Sequence, residues 1–273
     1  MSEEVKLLQP FQYINQFLKN NIRSDGRKFD DFRPVLLNCD SVGTADGSAM
    51  IRFGNSAVIA GITAAVIEPK VETPDEGYVE ISVRLPALCS AKYCMTDSTN
   101  DALVLTQTLK DVLKQSKLID VKKLCILEAK FAWSLNIELI CLNNAGNLVD
   151  LCVSAIVAAL QSCTLKKVTV SEDNKAISYD KHKEPLEVIS YPISTTFAVI
   201  NGILLSDPTI DEESLADSVV NIVVNADTDV IHRIHTTGSA KLDINAFEKC
   251  FKIAKNRSKI MKKLILEICH SNK

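Results

Sequence analysis

The sequence predicts an α+β fold of two units side by side, and three features carry that reading. Strand-like runs come first, then helical runs, one more strand, and after a polar stretch further strands that end in a helix. The strand runs are alternating or continuously apolar, while the helical runs repeat near 3.6 residues. The stretch 171–188 is polar and charged and makes the best internal boundary.

Taken in order, residues 5–20 carry Leu8, Phe11, Ile14, Phe17 and Leu18 at helical spacing. SDGR (24–27) reads as a turn around Gly26. VLLNCDSV is a strand, and AMIRF and AVIAGITAAVI flank a hairpin turn at Gly54-Asn55. Gly61 inside the second of these runs suggests a bulge or bend. EPKVETPDEGYVE is a loop, and YVEISVRL alternates like a half-buried strand. Residues 101–116 fit a helix with Asn100 or Asp101 near its N-cap. FAWSLNIELICL is a strand, NNAGN a turn, LCVSAIVAALQS a helix apolar on nearly all sides, and KKVTV a strand. ISTTFAVI, GILLS, SVVNIVV and VIHRIH are strands, and a long helix starts near Asp243.

On that last helix Phe247, Phe251, Ala254, Met261 and Ile265 share one arc. Lys249, Lys252, Lys255, Lys259, Lys262 and Lys263 share the opposite arc, with Arg257 as the exception. A solvated face is the commoner meaning of such a stripe, and a polyanion-binding face is the functional one.

The 273 residues, 47% hydrophobic and 24% charged, suit one large or two small soluble domains. A net charge of −3 gives no global attraction to nucleic acid, so RNA binding would need local patches. Nine cysteines without a CxxC pair, mostly in apolar runs, fit reduced buried thiols rather than a disulfide framework or a zinc site. His232 and His235, three apart on a strand, point to opposite faces. The opening MSEEVKLLQPFQYINQ lacks a signal-peptide pattern, and no apolar run is long enough for a membrane helix.

No GxxxxGK[ST], no GxGxxG after a strand and no GxSxG elbow occurs. What stands out is LLSDPTIDEESLAD (204–217), with Asp207, Asp211, Glu212, Glu213 and Asp217. Paired carboxylates can hold Mg²⁺ or act as general acid and base. Asp207-Pro208-Thr209 is also turn chemistry, and composition favours a solvated loop. RLPALCSAKY supplies Arg84, Lys92 and Tyr93, the cation-plus-ring combination that single-stranded RNA binding uses.

RSDGRKFDDFRP, TADGSAMIRFGNSAVIAGITAAVIEP, LNNAGNLVDLCVSAIVAAL and ISTTFAVINGILLSDPTIDEESLAD, in that order, resemble the ribonuclease PH family, in particular its exosome ring subunits. The resemblance runs from about residue 10 to residue 265. It implies a ribonuclease PH-like fold: two βαβ-containing halves with pseudo-symmetry, mixed sheets and packed helices. The expected layout is an N-terminal helical extension at 1–22, halves at 23–170 and 189–273, and a linker at 171–188.

By the same resemblance, six such subunits form a ring through which RNA threads. Active members hold the attacking phosphate with an arginine after a Gly-Gly turn and carry two aspartates six residues apart. The matching positions here are Leu148, Glu213 and Val219. Leucine lacks the fork that grips phosphate, and valine removes the second carboxylate. The expectation is therefore a catalytically inactive scaffold and channel wall, with no catalytic residue, metal or cofactor of its own. An active phosphorolytic 3′–5′ exoribonuclease, or a contributor to a composite site, is the alternative. Expected partners are other ring subunits, cap subunits and single-stranded RNA, with no membrane. Expected locations are nucleus, nucleolus and cytoplasm. Basic residues after the YVEISVRL strand face the channel in related subunits; Lys92 matches one and Cys94 replaces another.

Overall fold

The computed structural model describes residues 8–70, 72–90, 93, 98–170, 177–239 and 243–271. Helix α1 (Pro10–Lys19) begins on a proline whose fixed φ suits a first helical position. It buries Ile14 and Leu18 against Ile200 and Leu205. Strands β1 (Val35–Cys39), β2 (Gly47–Phe53) and β3 (Ser56–Ile67) form a meander. Gly54, at φ +55°, takes the first central position of the predicted two-residue hairpin. The expected break at Gly61 is absent, because Gly61 pairs with Ser48 on one side and Glu138 on the other. The irregularity sits at Ala57/Val58 instead.

Strand β4 (Tyr78–Arg84), helix α2 (Ser98–Ser116), the short β5 (Cys125–Leu127) and β6 (Phe131–Asn143) complete the first sheet. Its order is β1-β2-β3-β6-β4, with β5 on β6. Only β4 and β6 run parallel, so β4-α2-β6 is the βαβ unit of this half. Helix α2 starts at Ser98, ahead of the N-cap expected at Asn100 or Asp101.

Helix α3 (Leu148–Ser162) is buried at nearly every position, as its all-round apolar sequence demands. It lies against β2 and β3 on one side and the strand Pro192–Ile200 on the other. Strands β7 (Thr164–Val170) and β8 (Ile177–Pro185) pair as an antiparallel hairpin. Half of the expected linker is therefore strand: residues reading as polar and charged can form a ladder when the neighbouring strand supplies the backbone partners.

The second sheet has the order β10-β9-β11-β12, from β9 (Pro192–Ile200), β10 (Ile203–Ser206), β11 (Ser218–Asn225) and β12 (Ile231–Gly238). Asn201 and Gly202, both at positive φ, close the β9–β10 hairpin as the primed turn an Asn-Gly pair favours. Both β10 and β11 are antiparallel to β9, so β10, the short α4 (Ile210–Leu215) and β11 make a split βαβ unit. Helix α5 (Ile244–Ser271) covers the outer face through Phe247, Cys250, Phe251 and Ala254, packed on Phe197, Val220, Ile222 and Val224.

The halves share one core: Ile193, Val223, Met261 and Ile265 cluster with Ile51, Ile62, Leu139 and Leu151. The lysine arc of α5 is neutralised within the chain. Lys249 reaches Asp30, Lys255 and Lys259 share Asp229, and Lys262 pairs with Asp227. Arg257 leaves the arc because its guanidinium stacks 4.5 Å from the Phe32 ring centroid. Among the described residues no helix is long and apolar enough to cross a membrane.

Candidate functional site

Chain entry into α3 builds the site. Gly146 (φ +98°) and Asn147 (φ +58°) take left-handed conformations in succession. A Cβ on Gly146 would lie 2.4 Å from the Ile210 nitrogen, so this turn and the start of α4 meet backbone to backbone. The Asn147 N–H donates to Glu213 Oε1 at 2.6 Å. The Asn147 amide group donates to Asp150 Oδ2 (2.8 Å) and Asp207 Oδ1 (2.9 Å).

The carboxylates of 207–213 do not form a solvated loop. Asp207, at φ +50°, accepts from Arg33 through its backbone N–H, Nε and Nη2, and from Arg27 Nη1 at 3.3 Å. Burial pushes the Asp207 carboxyl up, but these Arg33 contacts prevail and hold it down at about 2. Glu212 completes a capping box with Thr209 and binds fully buried Arg23. Arg23 also donates to the carbonyls of Ser206 and Asp207. The arginines of RSDGRKFDDFRP thus staple the start of the chain to the acidic segment. Asp217 has an ordinary backbone role, accepting from the Asn201 N–H.

Asp150 is the other buried acid, lone in an apolar helix. Burial raises its pKa, and hydrogen bonds from Ser194, Asn147 and Thr196 oppose the rise. Asn221 also donates to it, at 3.2 Å. Those bonds fix the amides of Asn147 and Asn221 so that each Oδ1 is buried without a donor among the described residues.

These groups border an open cavity of about 650 Å³ between α2, the start of α3, α4 and strands β11 and β12. Leu148, Glu213 and Val219 all line it, so the three positions inferred from the resemblance converge. Leu85, Val104 and Leu105 add apolar wall, and Arg233 and His235 face in from β12. Burial, with Asp150 and Asp207 nearby, pushes the Glu213 carboxyl up to about 7 despite the Asn147 N–H and Arg33. Burial and Arg233 push the His235 imidazole down. His232, on the opposite face of the strand, does not line the cavity. Among the described residues no group of His, Cys, Asp or Glu is arranged to hold a metal ion.

Of the candidate RNA contacts, Arg84 is an exposed end of β4, its side chain 65% accessible and 3.3 Å from Glu138. Tyr93 corrects the expectation of a surface stacking ring. It is 5% exposed, packs in the core, lines the cavity and accepts from the Asn144 amide at 3.3 Å. Lys92 and Cys94 lie outside the described residues. Sequence reasoning passed over Asp150, Asn221 and Arg233. A lone acid inside an otherwise apolar helix was the available signal for Asp150.

Two large sheets around a shared helix, with a cavity bounded by the α3 turn and the acidic helix, frame the site. The model of the 3′ exoribonuclease family matches residues 31–166 with its domain 1 and residues 190–257 with its domain 2, and the chain belongs to this family. Exosome complex component rrp43 of Schizosaccharomyces pombe is 33% identical over 253 residues, covering 92% of this chain and 93% of the relative. Exosome complex component Rrp42 of Pyrococcus furiosus is 32% identical over 91% of each chain. Among solved structures, the Archaeoglobus fulgidus exosome with RNA bound to the active site superposes with a TM-score of 0.80. The identity is 26%, over 93% of this chain and 96% of that one.

Proposed function

We propose that this chain is a non-catalytic ring subunit of an RNA exosome, a scaffold and RNA-channel wall for 3′–5′ RNA processing and degradation. The observation that carries the reading is the lining of the cavity. Leu148 and Val219, which the resemblance sets at the positions of the phosphate-holding arginine and the second aspartate, both line it, beside a Glu213 whose carboxyl is pushed up to about 7. The other buried acids are committed elsewhere, Asp207 to Arg33, Glu212 to Arg23, and Asp150 to Ser194, Thr196 and Asn221. A carboxylate saturated by internal donors has little capacity left for a reacting group.

The relatives are exosome complex components, and one similar structure is an exosome with RNA bound, which supports this reading. Its partners are then other ribonuclease PH-like ring subunits, cap subunits and single-stranded RNA. Arg84 and Lys92 are the residues proposed to touch that RNA, as sequence-independent phosphate contacts. Nuclear, nucleolar and cytoplasmic pools go with this role and are checked by imaging the tagged chain.

The direct test is phosphate-dependent degradation of a 3′-labelled single-stranded RNA by the purified chain with Mg²⁺ and phosphate. No release of nucleoside diphosphates is expected. Robust release that Glu213→Gln abolishes would establish the phosphorolytic reading instead. Release only when a neighbouring ring subunit is added, again sensitive to Glu213→Gln, would establish a composite site.

A further inference from the structure

Two cysteines far apart in the chain meet at the seam between the halves. Cys39 ends β1, the edge strand of the first sheet, and Cys269 lies in the last turns of α5, which covers the second sheet. Their sulfurs are 2.8 Å apart and both residues are buried. A disulfide needs an S–S bond of about 2.05 Å, so the gap to close is under about 1 Å. Cys269 also contacts the carbonyl of Ala158 on α3, which places it over the helix joining the two sheets.

We propose that Cys39 and Cys269 form an oxidation site, closing to a disulfide that ties the end of α5 to β1. The contact places the thiols; the position of Cys269 supplies the route. Contact with Cys269 and burial both push the Cys39 thiol up, and while both residues stay buried neither sulfur is open to a peroxide in solution. Reaction therefore starts when the end of α5 frays, as helix ends do. Exposed as thiolate, the Cys269 thiol reduces one peroxide molecule, becoming a sulfenic acid and releasing one water. When the turn closes again, the Cys39 sulfur attacks the Cys269 sulfur. The S–O bond breaks, the S–S bond forms, and the leaving hydroxide takes the Cys39 proton as a second water. Two thiols are oxidised by two electrons and one peroxide is reduced to two waters. A thiol reductant reverses the bond by exchange.

A second thiol pair supplies an internal control. Cys89 and Cys141 are hydrogen-bonded to each other, but Cys141 is held in the β6 ladder opposite Val58 rather than on a helix. Route, rather than contact alone, then predicts that the first pair closes and the second does not.

The test treats the full-length chain with hydrogen peroxide, blocks remaining thiols with N-ethylmaleimide and maps the peptides. The expected result is a Cys39–Cys269 linked peptide, with Cys89 and Cys141 alkylated. Hydrogen exchange over residues 260–269 should slow severalfold on oxidation and recover with dithiothreitol. Cys39→Ser and Cys269→Ser should each abolish the slowing while keeping the reduced melting curve. If either variant fails to fold, the wild-type peptide map decides alone. Sulfinic acid on Cys269 with Cys39 still alkylatable, or a link through Cys89 and Cys141 instead, would overturn the proposal.

Discussion

Arg33 grips Asp207 with three donors at once: its backbone N–H and Nε on Oδ2, each at 2.9 Å, and Nη2 on Oδ1 at 2.6 Å. The two residues are 174 positions apart, so this one contact joins the start of the first half to the acidic segment of the second. Arg33 also donates to the carbonyls of Ala145 and Gly146, holding the turn that opens α3. Asp207 of the acidic segment thus serves as an internal brace.

That brace sets the response to acid. The folded Asp207 carboxyl is depressed to about 2, below the ordinary aspartate value of about 3.9. Its contribution is fully present above about pH 4 and is lost as pH falls toward 2, on the order of 2–3 kcal/mol. Urea titrations between pH 2 and pH 6 should show this slope in the wild type and a shallower one in Asp207→Asn. Arg33→Ala, which strands a buried carboxylate, should cost about 3–5 kcal/mol at neutral pH.

Glu213 works in the opposite sense. Its folded value is raised to about 7, so the folded state holds a proton the unfolded chain has already released. Stability should therefore fall as pH rises from about 4.5 through 7. Glu213→Gln should remove that part of the slope and raise stability at pH 8 by roughly 1–3 kcal/mol. Melting curves of both proteins from pH 5 to pH 8 are the measurement; a slope unchanged by the substitution would count against a neutral Glu213.

Gly146→Ala tests the contact between the α3 turn and α4. The added Cβ meets the Ile210 nitrogen and the Thr209 carbonyl carbon at 2.4 and 2.6 Å, at a φ that side chains disfavour. A loss of at least about 1–3 kcal/mol is expected. The Ile210 amide, now bonded to the Ala145 carbonyl, should exchange faster with solvent.

Arg84→Ala tests the channel wall. The exposed Arg84–Glu138 pair contributes under about 1 kcal/mol to stability, so folding should be untouched. In the assembled ring, RNA affinity should fall roughly two- to fivefold. The log–log salt slope should lose about 0.7, the share of one single-strand phosphate. Replacing Lys255 and Lys259 with alanine should change neither quantity, since both already face Asp229.

Much of this was legible beforehand because it is local. The alternation of YVEISVRL and the apolar run of FAWSLNIELICL became β4 and β6, and the all-apolar LCVSAIVAALQS became the helix between the sheets. KKVTV was read as the strand that became β7, but β8 was not legible, because a polar strand has no periodic burial to betray it and depends on its partner for backbone hydrogen bonds. Helix α4 was hidden inside a stretch whose turn residues and acids read as loop, although Thr209 and Glu212 have capping-box spacing.

The chemistry at Leu148 and Val219 was determined by the sequence alone, since a side chain that cannot ionise stays so in any fold. The family pattern and the spacing of the acids were likewise present in the linear chain. Only the tertiary structure decided what the acids do. Desolvation and the choice of partner depend on which surfaces meet, and no local pattern encodes that. Two carboxyls six residues apart, Asp207 and Glu213, therefore end at opposite extremes, one held charged by Arg33 and the other driven toward neutrality by burial. Tyr93, a candidate stacking ring for RNA, became a core residue for the same reason.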